Sequence, residues 1–338
     1  MPAPRVDLGE GGPAPLRLSA GTRRTSAKPL ATHTFPPPAA VPSWARASGR
    51  AGEDPLFAAG AGLALLDAVL RRNPPATGAL RQRLALQSAA ASAKILRLNT
   101  HEGALRDLRF AVGDAGPASR LLQLWRDLAA RPPSLDPSRL AAAAARLDLA
   151  VDPNGLASSL KGCAGEGDPV SAAAKAAALV FSAFPDAPAA DAETLALWAF
   201  DLVLAVRLRW ARPLPLIAGK LLDPGLRSGG GGRPRLGDPA WPKAAAGAIA
   251  LAAASALDVA ADLSRRTETL IAVAPKLRAK PAQRIVELLL AEDCVAPAEA
   301  VRQAPMTDRA ARRLFDRLVA LGAVRELTGR PAFRLYGL

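Results

Sequence analysis

Apolar residues recur every three to four positions over most of the chain, which is the spacing of one face of an α-helix. Leu63, Leu66 and Leu70 share such a face over residues 55–72, and Leu80 begins another over residues 77–98. The same period continues further along the chain. It predicts additional helices over residues 118–130, 137–148, 169–184, 190–210 and 239–273.

Six Asp-Pro pairs divide this helical pattern into segments. An aspartate can cap the amino terminus of a helix, and a proline is tolerated at the first helical position. Each pair therefore predicts the start of a helix. The pairs are Asp54-Pro55, Asp136-Pro137, Asp152-Pro153, Asp168-Pro169, Asp223-Pro224 and Asp238-Pro239.

Two segments are apolar on nearly every side. Residues 195–210 read LALWAFDLVLAVRLRW, and residues 244–257 read AAAGAIALAAASAL. A helix that is apolar all round is buried among other helices, and alanine side chains let neighbouring helices approach closely. Both segments are therefore expected to be central helices of a mainly α, alanine- and leucine-rich bundle.

The last sixty or so residues predict three further helices. Pro281 and Pro297 each begin a short one, and Thr307 can cap the third. Gly322 is placed to end this third helix, because glycine adopts the left-handed conformation that follows many helix ends. Its predicted core face consists of Ala311, Leu314, Phe315, Leu318 and Leu321.

Short β-like runs accompany these helices. Val295 can supply one strand, and residues 323–327 and 332–336 predict a hairpin around the turn TGRP. Three helices followed by a β-hairpin is the order of a winged helix-turn-helix domain. We predict such a domain over residues 275–338.

Basic side chains mark one side of this predicted domain. In a DNA-bound winged helix the third helix enters the major groove and the wing contacts the backbone or minor groove, roles that suit arginine. Helix arginines are also common on ordinary solvated surfaces, and winged helices also bind proteins. The candidate DNA-binding residues are Arg309, Arg312, Arg313, Arg317 and Arg330.

The positive charge of the protein is concentrated at its two ends. The net charge is +14 over 338 residues, but residues 1–50 and 275–338 each have +5, and the 224 residues between them have only +4. A clustered positive charge can act as an electrostatic footprint for nucleic acid. Residues 1–50 contain nine prolines and no sustained period, which predicts a disordered tail. The body is then expected over residues 51–274.

Signatures of enzymes, cofactor sites and metal sites are scarce in this sequence. The glycines at 229–232 lack the Lys-Ser/Thr of a phosphate-binding loop. The two histidines have no matching cysteine or carboxylate spacing, so no metal or cofactor is expected. No signal peptide is evident, and the longest uncharged apolar run has fourteen residues, short of the roughly 20 that span a membrane. We therefore expect a cytoplasmic protein with free thiols at Cys163 and Cys294.

Four aspartates on predicted helices are candidate buried acids: Asp67, Asp201, Asp258 and Asp262. Asp201 lies on an apolar face and would need a partner, for which Arg81 and Arg83 are candidates. Asp258 and Asp262 lie one turn apart, as metal-assisted chemistry requires. The alternative is ordinary intrahelical pairing of Asp67 with Arg71 and of Asp262 with Arg265 or Arg266.

The chain resembles a bacterial family known as domain of unknown function 1403. The similar stretches lie within residues 54–75, 78–98, 262–280 and 306–338, and the resemblance covers about residues 50–338. The family implies a fold and no mechanism. The ending also resembles winged helices of Fic-type and plasmid-borne helix-turn-helix proteins, but the His-Pro-Phe motif and glycine-rich loop of Fic adenylyl transfer are missing, so that activity is not expected.

These observations favour a DNA-binding or transcription-regulatory protein. Its helical body would form a homodimer or bind an effector, and its winged helix would contact double-stranded DNA. Two alternatives remain at this point. One is a protein-interaction scaffold, and the other is an enzyme or effector-binding domain that uses the buried acids.

Overall fold

α-Helices make up most of the chain that the computed structural model describes, namely residues 37–46, 54–111, 113, 116–227, 232–277, 281–330 and 332–338. These residues belong to one compact unit that spans 34–338. The prediction of a mainly α protein is confirmed. The body helices are α1 (Pro55–Arg72), α2 (Thr77–Ile95), α3 (Glu102–Leu108), α4 (Pro117–Ala130), α5 (Pro137–Ala145), α6 (Pro153–Ala164), α7 (Pro169–Ser182), α8 (Ala189–Arg207), α9 (Ile217–Leu221) and α10 (Trp241–Val273).

Three more helices and two short strands follow the body. They are α11 (Ala282–Ala291), α12 (Pro297–Gln303), α13 (Asp308–Ala320), β1 (Arg325–Glu326) and β2 (Tyr336–Gly337). We call residues 281–338 the C-terminal segment. It packs on the body mainly by contact of α11 with α2.

The Asp-Pro pairs start helices as predicted in most cases. Asp54, Asp152 and Asp168 accept hydrogen bonds of 2.9 to 3.1 Å from backbone N–H groups in the first turns of α1, α6 and α7. Asp136 precedes α5 without such a bond, and Asp223 caps a single turn of 3-10 helix. Asp54, Asp152, Asp168 and Asp223 thus satisfy donors that have no partner within the helix itself.

The pair Asp238-Pro239 does not start a helix, and that prediction is wrong. The carboxylate of Asp238 accepts a hydrogen bond from the backbone N–H of Arg235, 3.2 Å away. Its carbonyl accepts one from the N–H of Trp241 at 2.9 Å, which makes a turn. α10 therefore begins two residues later than predicted, at Trp241.

Three body helices end a few residues before the apolar period does. Arg97, Asp148 and Arg209 have φ values of 55°, 54° and 54°, in the left-handed region. Each stops its helix, and the residue after each returns a hydrogen bond to a carbonyl in the last turn. The period did not predict α3 or α9 at all, because helices of seven and five residues hold too few turns to show one.

α8 and α10 are the central helices, as predicted. In α8 every residue from Ala192 to Leu204 is buried. α10 packs closely on α1, since a Cβ atom built on Gly62 of α1 would lie 2.9 Å from the Cβ of Ala253. By length and composition the helical stretch Trp241–Lys276 could cross a membrane, but most of its apolar window is buried inside the protein.

The structure describes residues 37–46 of the segment 1–50, for which the sequence predicts a disordered tail. Residues 37–46 include a 3-10 turn, Ser43–Ala45, that packs on α1. Val41 and Ala45 are buried in this contact, so the apolar burial holds the segment in place. Residues 1–36 lie outside the described part.

Candidate nucleic-acid interface

α13 has the boundaries that its sequence predicts. The hydroxyl of Thr307 accepts a hydrogen bond from the N–H of Ala310 at 3.3 Å and caps the helix. Gly322 has a φ of 67° just after the helix, where a side chain would be strained. Of the predicted core face, Ala311, Leu314, Phe315 and Leu318 are buried. Leu321 is 37% exposed, because the helix ends before that residue and its position leaves the core face.

A short sheet supports α13 from one side. β1 and β2 are antiparallel, with Glu326 opposite Tyr336, and Val295 bridges the other edge of β2 through hydrogen bonds of 2.7 and 2.9 Å. The ring of Tyr336 stacks on Phe315 of α13 with centroids 4.5 Å apart. This stacking fixes the rotation of α13 about its axis.

The outer face of α13 carries exposed arginines. Arg309, Arg313 and Arg317 are all exposed and follow one another at intervals of four residues. That spacing places successive guanidinium groups about 6 Å apart along the helix. Within the described part of the chain, no carboxylate forms an ion pair with any of the three. We call these three residues the arginine face.

Arg312, the fourth candidate on this helix, is also exposed but has a partner. Its Nε lies 2.8 Å from a carboxylate oxygen of Asp308, one turn earlier. Asp316 lies beside the arginine face and is 3.7 Å from Arg334 of the segment before β2. Arg334 thus offsets part of the negative charge next to the arginine face.

Arg330, the candidate at the predicted wing tip, contacts the body. Its guanidinium donates to Asp107 of α3 at 2.7 Å. Phe333 packs edge-on against Phe110 with centroids 5.9 Å apart. The tip between β1 and β2 is therefore attached to α3, and Arg330 has an acidic partner, whereas the three residues of the arginine face have none among the described residues.

A buried set of ion pairs joins the C-terminal segment to the body, and we call it the docking network. Asp293 lies just after α11 and pairs with two arginines, one at each carboxylate oxygen. The Nε of Arg83 of α2 is 2.7 Å from one oxygen, and the Nε of Arg106 of α3 is 2.6 Å from the other. Arg83 also donates to the carbonyl of Leu338 at 3.0 Å. The docking network also includes Arg126 with Glu292 at 2.9 Å, Arg109 with Glu299 at 2.6 Å and with Glu292 at 3.3 Å, and Arg109 with the carbonyl of Cys294.

The docking network shifts several pKa values. Burial opposes ionisation of Asp293, but the charges and hydrogen bonds of Arg83 and Arg106 outweigh it, and the pKa of Asp293 lies below its usual value. Burial raises the pKa of Glu299, since Arg109 only partly offsets it. Burial and then the charge of Asp293 raise the pKa of the Cys294 thiol to about 11, so this thiol is not reactive at neutral pH.

Asp201 is the one of the four candidate acids that is fully buried. Its two carboxylate oxygens accept hydrogen bonds from the backbone N–H groups of Leu216 and Ile217, at 2.8 and 3.3 Å, where α9 begins. The expected partnership with Arg81 or Arg83 is wrong, because Arg83 is held by Asp293 and the start of α9 supplies the donors instead. Burial raises the pKa of Asp201 well above its usual value, although these two bonds act against the shift.

The other three acids lie nearer to solvent. Asp258 is exposed, because its position on α10 faces away from the body. Asp67 is half-buried and accepts hydrogen bonds from Arg71 at 2.6 Å and from the indole of Trp210 at 3.0 Å. These contacts give Asp67 a structural role.

Asp262 is half-buried as well, and it pairs with Arg265 at 3.4 Å and with Arg266 at 2.7 Å. The alternative of intrahelical pairing thus describes both Asp67 and Asp262. Among the described residues, no group of three or more histidine, cysteine or acidic side chains is arranged to hold a metal ion. Cys163 and Cys294 are both free and buried.

The family comparison adds to this picture. The family described as "Protein of unknown function (DUF1403)" matches residues 29–338. The chain belongs to the DUF1403 family. The match begins before the helical body and includes residues 37–46, which pack on α1. The sequence analysis placed the start of the resemblance later, at about residue 50. A search of curated proteins finds no match.

Sequence reasoning missed the docking network of this DUF1403 chain. The available signal was the run Glu292-Asp293, two adjacent acids that follow an apolar helix. Their partners lie 166 to 210 residues earlier in the chain, so no local pattern connects them.

Proposed function

We propose that this DUF1403 protein binds double-stranded DNA through α13. The observation that supports the proposal is the arginine face, in which three exposed guanidinium groups repeat every helical turn without an acidic partner among the described residues. Side chains at that spacing can contact successive phosphates or base edges in a major groove. Arg330 pairs with Asp107 of the body. We therefore assign DNA contact to α13 and attachment of the C-terminal segment to Arg330.

The surrounding geometry supports a winged helix-turn-helix arrangement for the C-terminal segment. The order is helix α11, a bridge residue at Val295, helices α12 and α13, then β1 and β2, with β2 between Val295 and β1. In winged helices of this order the third helix is presented to DNA. The docking network contacts the residues that follow α11 and Glu299 of α12, and it leaves the arginine face of α13 exposed.

Binding to a fluorescent duplex tests the proposal. The Arg309→Ala/Arg313→Ala variant removes two exposed groups, and we expect at least tenfold weaker binding, because each bidentate contact is worth about 1–3 kcal/mol. Arg72→Ala/Arg131→Ala is the matched control, since both arginines are exposed at the ends of body helices. Genome-wide capture of DNA with the tagged protein identifies the duplex to use. If both variants bind the duplex as tightly as the wild type, the arginine face is not the DNA-binding surface.

A protein partner is the second candidate for the same segment. Val319 and Leu321, next to the end of α13, are 38% and 37% exposed, and Phe333 is 47% exposed. Exposed apolar side chains of this kind favour contact with another protein. Co-purification from nuclease-treated lysate tests this function. A stoichiometric partner that is lost in the Val319→Ser/Leu321→Ser variant but kept in the Arg309→Ala/Arg313→Ala variant would favour protein binding over DNA binding.

A further inference from the structure

A polar cavity of about 260 Å³ lies in the helical body between α2, α9 and α10. A water molecule in the liquid takes up about 30 Å³, so the space exceeds what a single water fills. Polar atoms dominate its wall, which is unusual for a gap between alanine-rich helices. The polar lining residues are Gln87, Ser88, Lys94, Glu102, Lys220 and Ser255.

Ser88 of α2 is buried in the wall of this cavity. Only 1% of the residue is exposed, and its hydroxyl oxygen has less than 1 Å² of accessible surface. The side chains that can contact a molecule in the cavity are therefore the other polar lining residues, among them Gln87, Lys94, Lys220 and Ser255.

The charges around the cavity indicate the sign of that molecule. Lys94, near the end of α2, and Lys220, near the end of α9, both line it, and neither forms an ion pair with a described carboxylate. Glu102 also lines it, but its carboxylate lies 3.8 Å from Arg106 and is partly neutralised there. The cavity therefore has an excess of positive charge together with neutral hydroxyl and amide groups.

We propose that this cavity binds a small organic anion, a carboxylate or phosphate ester that carries further hydrogen-bonding groups. The ammonium groups of Lys94 and Lys220 would hold the anionic end, and Ser255 and Gln87 would bind the polar remainder. The proposal does not depend on DNA binding by α13, since no residue of the arginine face lines the cavity.

Gly219 allows the cavity to be blocked without disturbing the fold. It lines the cavity, and a Cβ atom built on it meets no atom within 4 Å. Gly219→Leu therefore places a side chain in open space at the cavity wall. Lys220→Gln removes one charge at a partly exposed position and tests the site independently of shape. Lys161→Gln, at an exposed position on α6, is the matched control.

Isothermal titration of the full-length protein tests the site with succinate, glycerol 3-phosphate and inorganic phosphate, and with putrescine as a cation of similar size. We expect saturable 1:1 binding of at least one of the two organic anions, and their comparison separates carboxylate from phosphate recognition. Gly219→Leu should abolish binding, and Lys220→Gln should weaken it about tenfold, as expected for a lost charged hydrogen bond. Lys161→Gln and Arg309→Ala/Arg313→Ala should bind like the wild type.

The proposal fails if neither organic anion binds, if only putrescine binds, or if Lys220→Gln binds as tightly as the wild type. It also fails if Arg309→Ala/Arg313→Ala removes the binding, because the anion would then occupy the arginine face. Circular dichroism spectra establish that each variant is folded, and if Gly219→Leu is not, Lys94→Gln replaces it as the second variant within the cavity.

Discussion

Arg83 and Asp293 form a buried ion pair of 2.7 Å between residues that lie 210 positions apart. Their side chains are only 12% and 5% exposed, so the pair lies inside the contact between α2 and the C-terminal segment. Arg106 reaches the second oxygen of the same carboxylate. The docking network thus sets where the segment, and with it α13, lies on the body.

Removal of the Asp293 charge should destabilise the protein strongly. Asp293→Asn leaves Arg83 and Arg106 buried without their counter-charge, and such a change costs about 3–5 kcal/mol. Asp258→Asn is the control, because this exposed acid should change the free energy of unfolding by less than about 0.5 kcal/mol. Urea denaturation followed by circular dichroism measures both. A loss below about 1 kcal/mol in Asp293→Asn would contradict the importance of the pair.

The same carboxylate should make stability depend on pH in the acid range. The pKa of Asp293 is lower in the folded state than the value of about 3.9 of an unfolded chain. Its contribution is therefore fully present above about pH 4 and is lost as the pH falls through the folded value. The difference in unfolding free energy between the wild type and Asp293→Asn should shrink as the pH falls below about 4.

Measurement of this difference, rather than of the wild type alone, is needed because Glu299 acts in the opposite direction. Its raised folded pKa favours the folded state at low pH, and this contribution is lost as the pH rises through that value. Both proteins contain Glu299, so its effect cancels in the difference. A difference that stays constant down to the acid limit of folding would contradict the assignment to Asp293.

Gly78→Ala should disturb the contact between α2 and α11. A Cβ atom on Gly78 would lie 2.7 Å from the Cα and 2.8 Å from the carbonyl oxygen of Ala291, both backbone atoms that cannot move aside alone. We expect a loss of about 1–3 kcal/mol from the forced backbone shift. Gly60→Ala on α1, where nothing lies within 4 Å, should instead stabilise by about 0.5–1 kcal/mol. Thermal unfolding of both variants checks the opposite signs.

Local signals in the sequence were sufficient to predict most of the long helices, and α13 in particular. Thr307 and Gly322 predicted its two ends, and Phe315 and Leu318 predicted its buried face, because capping and helical period depend only on neighbours within a few residues. Where a residue in the left-handed region ends a helix, as Arg97 does, the apolar period continues past the end and gives no warning.

Relationships between distant elements could not be predicted in this way. Asp201 was expected to be buried, but its partners are backbone N–H groups of α9, a helix too short to show a period. The docking network and the cavity both include residues of α3, which the apolar period did not predict for the same reason. Such contacts follow from the packing of whole helices, which single-sequence patterns do not encode.

Asp201→Asn tests whether that buried acid has a structural role. The amide has one accepting oxygen, so one of the N–H groups of Leu216 and Ile217 would face an amide nitrogen and lose its partner. A buried donor without a partner costs about 1–3 kcal/mol. We expect this loss in urea denaturation, with Asp258→Asn unchanged. An Asp201→Asn variant with wild-type stability would separate this acid from folding and return it to the candidates for binding or catalysis.

Salt dependence tests how the arginine face contributes to DNA affinity. Each neutralised phosphate lowers the logarithm of the binding constant by about 0.9 per tenfold increase in salt. Replacement of Arg309, Arg313 and Arg317 by alanine should therefore reduce the slope by about 2–3 if all three contact phosphates, and by less if one reads a base edge. Titrations of a mixed-sequence duplex at several salt concentrations give the slope. An unchanged slope in this variant, with Arg72→Ala/Arg131→Ala as the reference, would place the electrostatic contacts elsewhere on the protein.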